Sequence, residues 1–367
     1  MGRSRSKRNK GRRSGVGRTL RTLFVLTALI AGVLAWFGYA RYSGFVDAPI
    51  TGVEADASLV LQRGDSFAAM LTRLHATGAD GGHDLEWRLL ARQMGAAGHL
   101  QVGEYALPAG TTPRQLLQRM RDGKVVSHRF TIVEGWNLRE LRAALAKAQP
   151  MVQDTAGLDD AALVAKLGHP GMHAEGRFLP ETYLYTRGDS DLDLLRRAWA
   201  AMDTALDAAW DAREPGLPLQ SKEDALILAS IVEKETGVAE ERPQIAGVFV
   251  RRLKLGMRLQ TDPTVIYGMG ERYAGNIRKT DLRADTAYNT YTRTGLPPTP
   301  IAMPGVAALQ AATHPAPGDA LYFVAIGDGS GRHVFTRSLT DHQSAVRDYL
   351  QRYRQQQAAP QPRRATP

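Results

Sequence analysis

Ser221-Lys222-Glu223-Asp224-Ala225-Leu226-Ile227-Leu228-Ala229-Ser230-Ile231-Val232-Glu233-Lys234-Glu235-Thr236-Gly237 opens with capping-box spacing and runs through eight residues with no polar face. A helix that is apolar nearly all round has to be buried on all sides, so this stretch marks the centre of a folded domain. It ends on two glutamates ahead of Gly237, which stands where a helix commonly stops. Carboxylates at that end face the negative pole of the helix dipole, and burial behind an apolar helix adds a desolvation cost. Both effects raise a carboxyl pKa and favour a proton-donating acid near neutrality. Glu233 and Glu235 lie about 200° apart around the axis, so only one of them can face a given cleft. The other reading is a pair of solvated helix-end residues matched with Lys234 or Arg242.

Downstream the chain alternates short helices with polar, aromatic turns. Glu241-Arg242-Pro243 starts a helix that ends in Arg251, Arg252 and Lys254 before Gly256, with the basic residues at the favourable end. Leu259-Gln260-Thr261-Asp262-Pro263-Thr264 turns into another helix, and Tyr288-Asn289-Thr290-Tyr291 precedes Gly295-Leu296-Pro297-Pro298. Tyr rings stack on sugars, and Asn and Gln amides bond hydroxyl and acetamido groups. Gln260, Asp262, Tyr288, Asn289 and Tyr291 are therefore candidate substrate-binding residues; each has the alternative of holding its own loop together. Leu321 to Ile326 and Arg332 to Thr336 flank Asp328-Gly329-Ser330-Gly331 as a hairpin, and Asp341 to Arg354 forms a closing helix.

Upstream, a strand, a Gly turn, a capping residue and a short helix recur three times, with Ser66, Thr112 and Asn137 in the capping slot. This resembles the LysM module, a strand-helix-helix-strand fold that binds N-acetylglucosamine polymers; the alternative is a spacer without a ligand. Residues 147–216 read as mainly helical, interrupted by the loop Glu175-Gly176-Arg177-Phe178-Leu179-Pro180-Glu181-Thr182-Tyr183, whose rings either line a groove or cover core.

The 367 residues carry 47 Lys+Arg against 37 Asp+Glu, a net charge of +10, with 43% apolar residues and no cysteine. A disordered or disulfide-stapled chain is excluded, as are thiol nucleophiles and Cys-ligated metals. The histidines show no paired ligand spacing, so no metal or cofactor is implied. Arg3, Arg5, Lys7, Arg8, Lys10, Arg12, Arg13, Arg18 and Arg21 account for nearly all the excess charge, which removes the reason to expect a nucleic-acid partner. They precede Leu23 to Ala40, which is free of charge and reaches the ~17–25 residues of a membrane-spanning helix. The charge asymmetry predicts a single-pass anchor with a cytoplasmic N-terminus. A cleaved signal peptide, with Gly38 and Ala40 at the cleavage site, is the competing reading.

Ala229 to Thr236, Leu259 to Gly268, Tyr288 to Tyr291 and Gly295 to Pro298 together resemble the endolytic murein transglycosylases, the YceG-like family, and the similarity runs from the membrane segment to about Leu350. The resemblance implies an enzyme of the inner membrane, with its catalytic domain in the periplasm. It would cut nascent peptidoglycan strands internally between N-acetylmuramic acid and N-acetylglucosamine and leave 1,6-anhydromuramic ends. It maps the catalytic glutamate to Glu235, which is followed by Thr236, and makes peptidoglycan synthases candidate partners. Arg177 departs from the family, whose relatives more often place an apolar or aromatic residue there.

The expected architecture is α+β: a basic tail (1–22), a transmembrane helix (23–40), a linker (41–56), a LysM-like domain (57–146), a helical region (147–219), a mixed catalytic domain (220–354) and a disordered tail (355–367). Two other functions fit the residues. One is a glycan hydrolase pairing Glu235 with Asp262 or Glu233, and the other is a noncatalytic peptidoglycan-binding scaffold.

Overall fold

The computed structural model describes residues 14–358; most of the basic tail and residues 359–367 of the C-terminal tail lie outside them. Helices and strands are mixed, in an α+β arrangement of two compact units that divide after Val126.

The first unit opens with α1 (Ser14–Asp47), whose residues from Leu20 to Tyr39 include a long series of exposed large hydrophobic side chains. The helix continues past Ala40 because its last turns have packing partners. Val46 is buried in the core of this unit, and Tyr42 and Phe45 lie against that core. Then follow β1 (Ser58–Leu61), α2 (Phe67–Ala76), α3 (Asp84–Gln93), β2 (Gly103–Ala106) and α4 (Pro113–Asp122). β1 and β2 pair antiparallel with Leu59 opposite Tyr105, and both side chains are buried with Met70, Leu74, Trp87 and Leu117. Ser66 and Thr112 accept the N3 amides of α2 and α4 as the capping pattern requires. The sequence reading did not resolve α3, whose start is marked only by the less usual cap His83, with Glu86 returning to the His83 amide.

The second unit comprises β3 (Ser127–Thr131), α5 (Leu138–Leu145), α6 (Asp160–Leu167), β4 (Thr182–Thr186), α7 (Asp191–Asp211), α8 (Lys222–Glu235), α9 (Arg242–Lys254), α10 (Asp262–Met269), α11 (Lys279–Arg283), α12 (Val306–Thr313), β5 (Tyr322–Ala325), β6 (His333–Thr336) and α13 (Leu339–Ala358). Ala225 through Val232 of α8 are all buried, as an all-round apolar helix must be. They pack among Ile245 and Phe249 of α9 and Leu309 and Ala312 of α12. A second core lies under the antiparallel pair β3 and β4, in which Phe130 faces Tyr183. There the 175–183 loop spends its Phe178 ring on core packing, edge-on to Trp199 with centroids 5.6 Å apart. Arg177 is buried in the same region and paired with Glu223. β5 and β6 form the expected hairpin, with Phe323 opposite Phe335. Gln355 to Ala358, expected as disordered tail, continue α13.

Candidate active site

α8 terminates at Glu235 without a left-handed glycine. Thr236 turns extended (φ −146°, ψ 135°) and its hydroxyl accepts the Val238 amide at 2.9 Å, while Gly237 keeps φ outside the left-handed region. This turn sends the two glutamates to different environments, as their angular separation predicts.

Glu233 is consumed by structure. Its side chain is only 5% exposed, it pairs with Arg242 at 3.1 Å, and it accepts the Gly305 amide at 3.0 Å. Burial raises its pKa, opposed by that amide and by the Arg242 charge.

Glu235 faces a cavity of about 470 Å³ that Gln260, Asp262, Tyr291 and Arg252 also line. It accepts a hydrogen bond from the Thr261 hydroxyl and has no cationic partner among the described residues. Burial pushes its pKa up to about 7; the Thr261 bond opposes the rise and the Asp262 charge adds to it. The turn that delivers these neighbours is held by hydroxyls. The Thr261 amide donates to Thr290 Oγ1 at 3.1 Å, and the Thr264 hydroxyl donates to the Thr261 carbonyl at 2.8 Å. Gln260 sits at φ +51°, the only positive φ outside glycine among the described residues. Its amide donates to the Thr290 carbonyl at 3.2 Å, which ties a backbone conformation that side chains disfavour into the same network. The Tyr291 hydroxyl donates to Asp262 Oδ1 at 2.5 Å and fixes that carboxylate at the start of α10.

The other two sequence candidates lie elsewhere. Tyr288 lines a separate cavity of about 640 Å³, edge-on to Tyr267 at 4.9 Å and bonded through its hydroxyl to Thr299 at 2.8 Å. Asn289 is 1% exposed. Its amide nitrogen donates to the carbonyls of Asp281 (3.2 Å), Leu282 (3.2 Å) and Ala284 (2.6 Å), and its oxygen accepts the Tyr291 amide at 2.9 Å. Asn289→Ala would strand these buried groups and is expected to lower the unfolding free energy by about 3 kcal/mol, measured by urea denaturation. A midpoint equal to that of the unaltered protein would refute this clamping role.

Two features escaped the sequence reading. Arg252, read there as a helix-end charge, donates to the Arg258 and Leu259 carbonyls at 3.1 and 2.9 Å and to that of Leu321 at 2.6 Å, closing one wall of the Glu235 cavity. Glu175 lines the Tyr288 cavity; its carboxylate accepts the Leu138 amide at 3.1 Å and the Tyr267 hydroxyl at 3.0 Å, and burial pushes its pKa up to about 7. Its only sequence signal was a glutamate before Gly176 in an irregular loop.

The sequence profile of the YceG-like family matches residues 59–348. A Bacillus subtilis protein named endolytic murein transglycosylase is 33% identical over 276 residues, covering 70% of this chain and 74% of the relative. A Streptococcus pneumoniae protein of the same name is 27% identical over 285 residues, 68% of this chain and 51% of the relative. The crystal structure of a Listeria monocytogenes protein described as yceG-like superimposes with a TM-score of 0.51 at 28% identity, covering 79% of this chain and 98% of that one.

Proposed function

The chain belongs to the YceG-like family, and from that membership we propose that it is an endolytic murein transglycosylase with Glu235 as its acid and base. One observation carries the assignment of the residue: Glu235 faces a cavity and has no cationic partner among the described residues, with its pKa near 7, whereas Glu233 is paired with Arg242.

The chemistry needs one carboxyl. Protonated Glu235 gives its proton to the glycosidic oxygen as the bond to muramic C1 breaks and an oxocarbenium-like centre develops. The resulting carboxylate then takes the proton of the muramic 6-hydroxyl as that oxygen bonds to C1, which closes the 1,6-anhydro ring and restores the acid. No water enters, so no second carboxylate has to activate one. Thr261 orients the carboxyl, and Asp262, held by Tyr291, supplies negative charge beside the cationic centre. Gln260, Asp262 and Tyr291 contact the sugars; the hydrogen bonds of Tyr288 and Asn289 favour a supporting role for these two.

We read the rest of the chain in the same terms. The β1-α2-α3-β2 order supports a LysM-like, glycan-binding first unit, and the exposed apolar length of α1 supports an inner-membrane anchor with the remainder in the periplasm.

The test incubates the full chain in detergent with uncrosslinked glycan strands and reads the new ends by mass spectrometry. Anhydromuramic ends are expected. Reducing ends that have gained water would replace this reading with a hydrolase in which Asp262 is the partner carboxylate. Binding without cleavage would replace it with a scaffold.

A further inference from the structure

Several arginines of the second unit have partners: Arg142 pairs with Asp160 at 2.8 Å, Arg242 with Glu233 at 3.1 Å, Arg293 with Asp285 at 2.8 Å, and Arg252 donates to carbonyls. Arg139 differs. It lies exposed on α5, on the wall shared by the Glu175 cavity and a neighbouring cavity of about 580 Å³, and no hydrogen bond or ion pair holds it among the described residues. Its guanidinium rests over the turn at Gly270, where a Cβ would come within 3.1 Å of Nη1; φ at this glycine is +59°. Lys234 lines the 580 Å³ cavity too, with its ammonium bonded at 3.0 Å to the Gly135 carbonyl, so two cations border it. Of the acids there, Glu140 is turned back onto the Asn137 amide at 2.8 Å, and Glu271 stands on the same wall. Lys234 and Pro263 adjoin Glu235 and Asp262 in the chain, which places this cavity beside the reaction centre.

In a stem-bearing strand the lactyl carboxyl of each muramic acid is spent in the amide to its stem, which leaves the sugars uncharged. A strand's fixed anions are the carboxylates of its peptide stems, and a guanidinium pairs with a carboxylate through two parallel hydrogen bonds. We propose that Arg139 recognises a stem-peptide carboxylate of the bound strand, so that this cavity makes the enzyme selective for stem-bearing over stripped glycan. The proposal rests on the transglycosylase reading above.

The test uses the full chain in detergent with two substrates: uncrosslinked strands bearing stems, and the same strands stripped by an amidase with the freed muramic lactyl carboxyls capped as methylamides, so that the stripped strand carries no carboxylate. Arg139→Ala places a good helix former at an exposed position and is expected to raise KM about tenfold on stem-bearing strands, with kcat and the rates on stripped strands unchanged. Arg139→Lys should recover part of the loss, and Arg213→Ala, an exposed change at the end of α7, should alter neither substrate. Equal effects of Arg139→Ala on both substrates, or none on either, would overturn the proposal. If the unaltered protein cleaves neither substrate, the transglycosylase reading itself fails.

Discussion

Glu235→Gln is expected to reduce cleavage of uncrosslinked glycan by about a thousandfold while the chain remains folded. The amide keeps the shape of the carboxyl and can still accept the Thr261 hydroxyl, so the local packing has no cause to change. It has no proton to give to the leaving oxygen and cannot take one from the 6-hydroxyl. The matched change Glu233→Gln should behave in the opposite way. It removes the charge that Arg242 faces and weakens the acceptor for the Gly305 amide, so thermal unfolding should shift down while the variant that stays folded still cleaves. If Glu235→Gln kept more than a tenth of the rate, the acid would have to be sought elsewhere. Glu175, the other carboxyl with a pKa near 7, would be the first to examine.

The second large effect is on pH dependence. Glu235 begins the reaction protonated and its pKa is about 7, so kcat/KM should fall roughly tenfold per pH unit above that value, to about a hundredth by pH 9. A profile flat to pH 9 would contradict the assignment. Stability should follow the same groups. Glu235 and Glu175 each bind their proton more tightly folded than unfolded, with pKa raised from 4.5 to about 7. Their contribution is therefore complete below about pH 4.5 and is lost progressively as pH rises through 7. Urea titrations at several pH values should show this slope, and Glu175→Gln should flatten it.

Much of this was legible in the residues because local rules and tertiary demands agree. The all-round apolar run of α8 could only be central, and Ser66, Thr112 and Asn137 announced their helices through side-chain caps that depend on adjacent residues alone. The hairpin at Asp328-Gly329-Ser330-Gly331 followed from turn chemistry. What stayed hidden depends on partners distant in sequence. β4 forms because Thr182 to Thr186 find β3 more than fifty residues earlier, and nothing within the segment announces that pairing. Asn289 and Tyr288 looked like sugar-binding residues by type, and only the fold reveals that three carbonyls occupy the amide of the first and Thr299 the hydroxyl of the second. The division of labour between Glu233 and Glu235 was visible as an angle; that Arg242 takes Glu233 was one of the pairings the sequence offered, and the fold selects it.

α1 has a mechanical consequence. At 1.5 Å per residue its 34 residues form a rod of roughly 51 Å, and Leu23 to Ala40 fill about 27 Å of it, close to the thickness of a bilayer's hydrocarbon. The seven residues beyond Ala40 add about 10 Å, enough to clear a headgroup layer of roughly 5–8 Å, and within that distance the rod is bolted to its domain. Arg41 meets Glu86 at 2.8 Å, Tyr42 donates to Gln93 at 2.7 Å, Val46 enters the core, and Asp47 meets Arg114 at 2.9 Å. In a chain anchored as proposed, the first unit is therefore a rigid cap seated on the lipid surface rather than a float on a leash. Its orientation to the membrane plane follows the tilt of the rod, and lengthening this junction with a flexible Gly-Ser insert would free it without touching a single core residue.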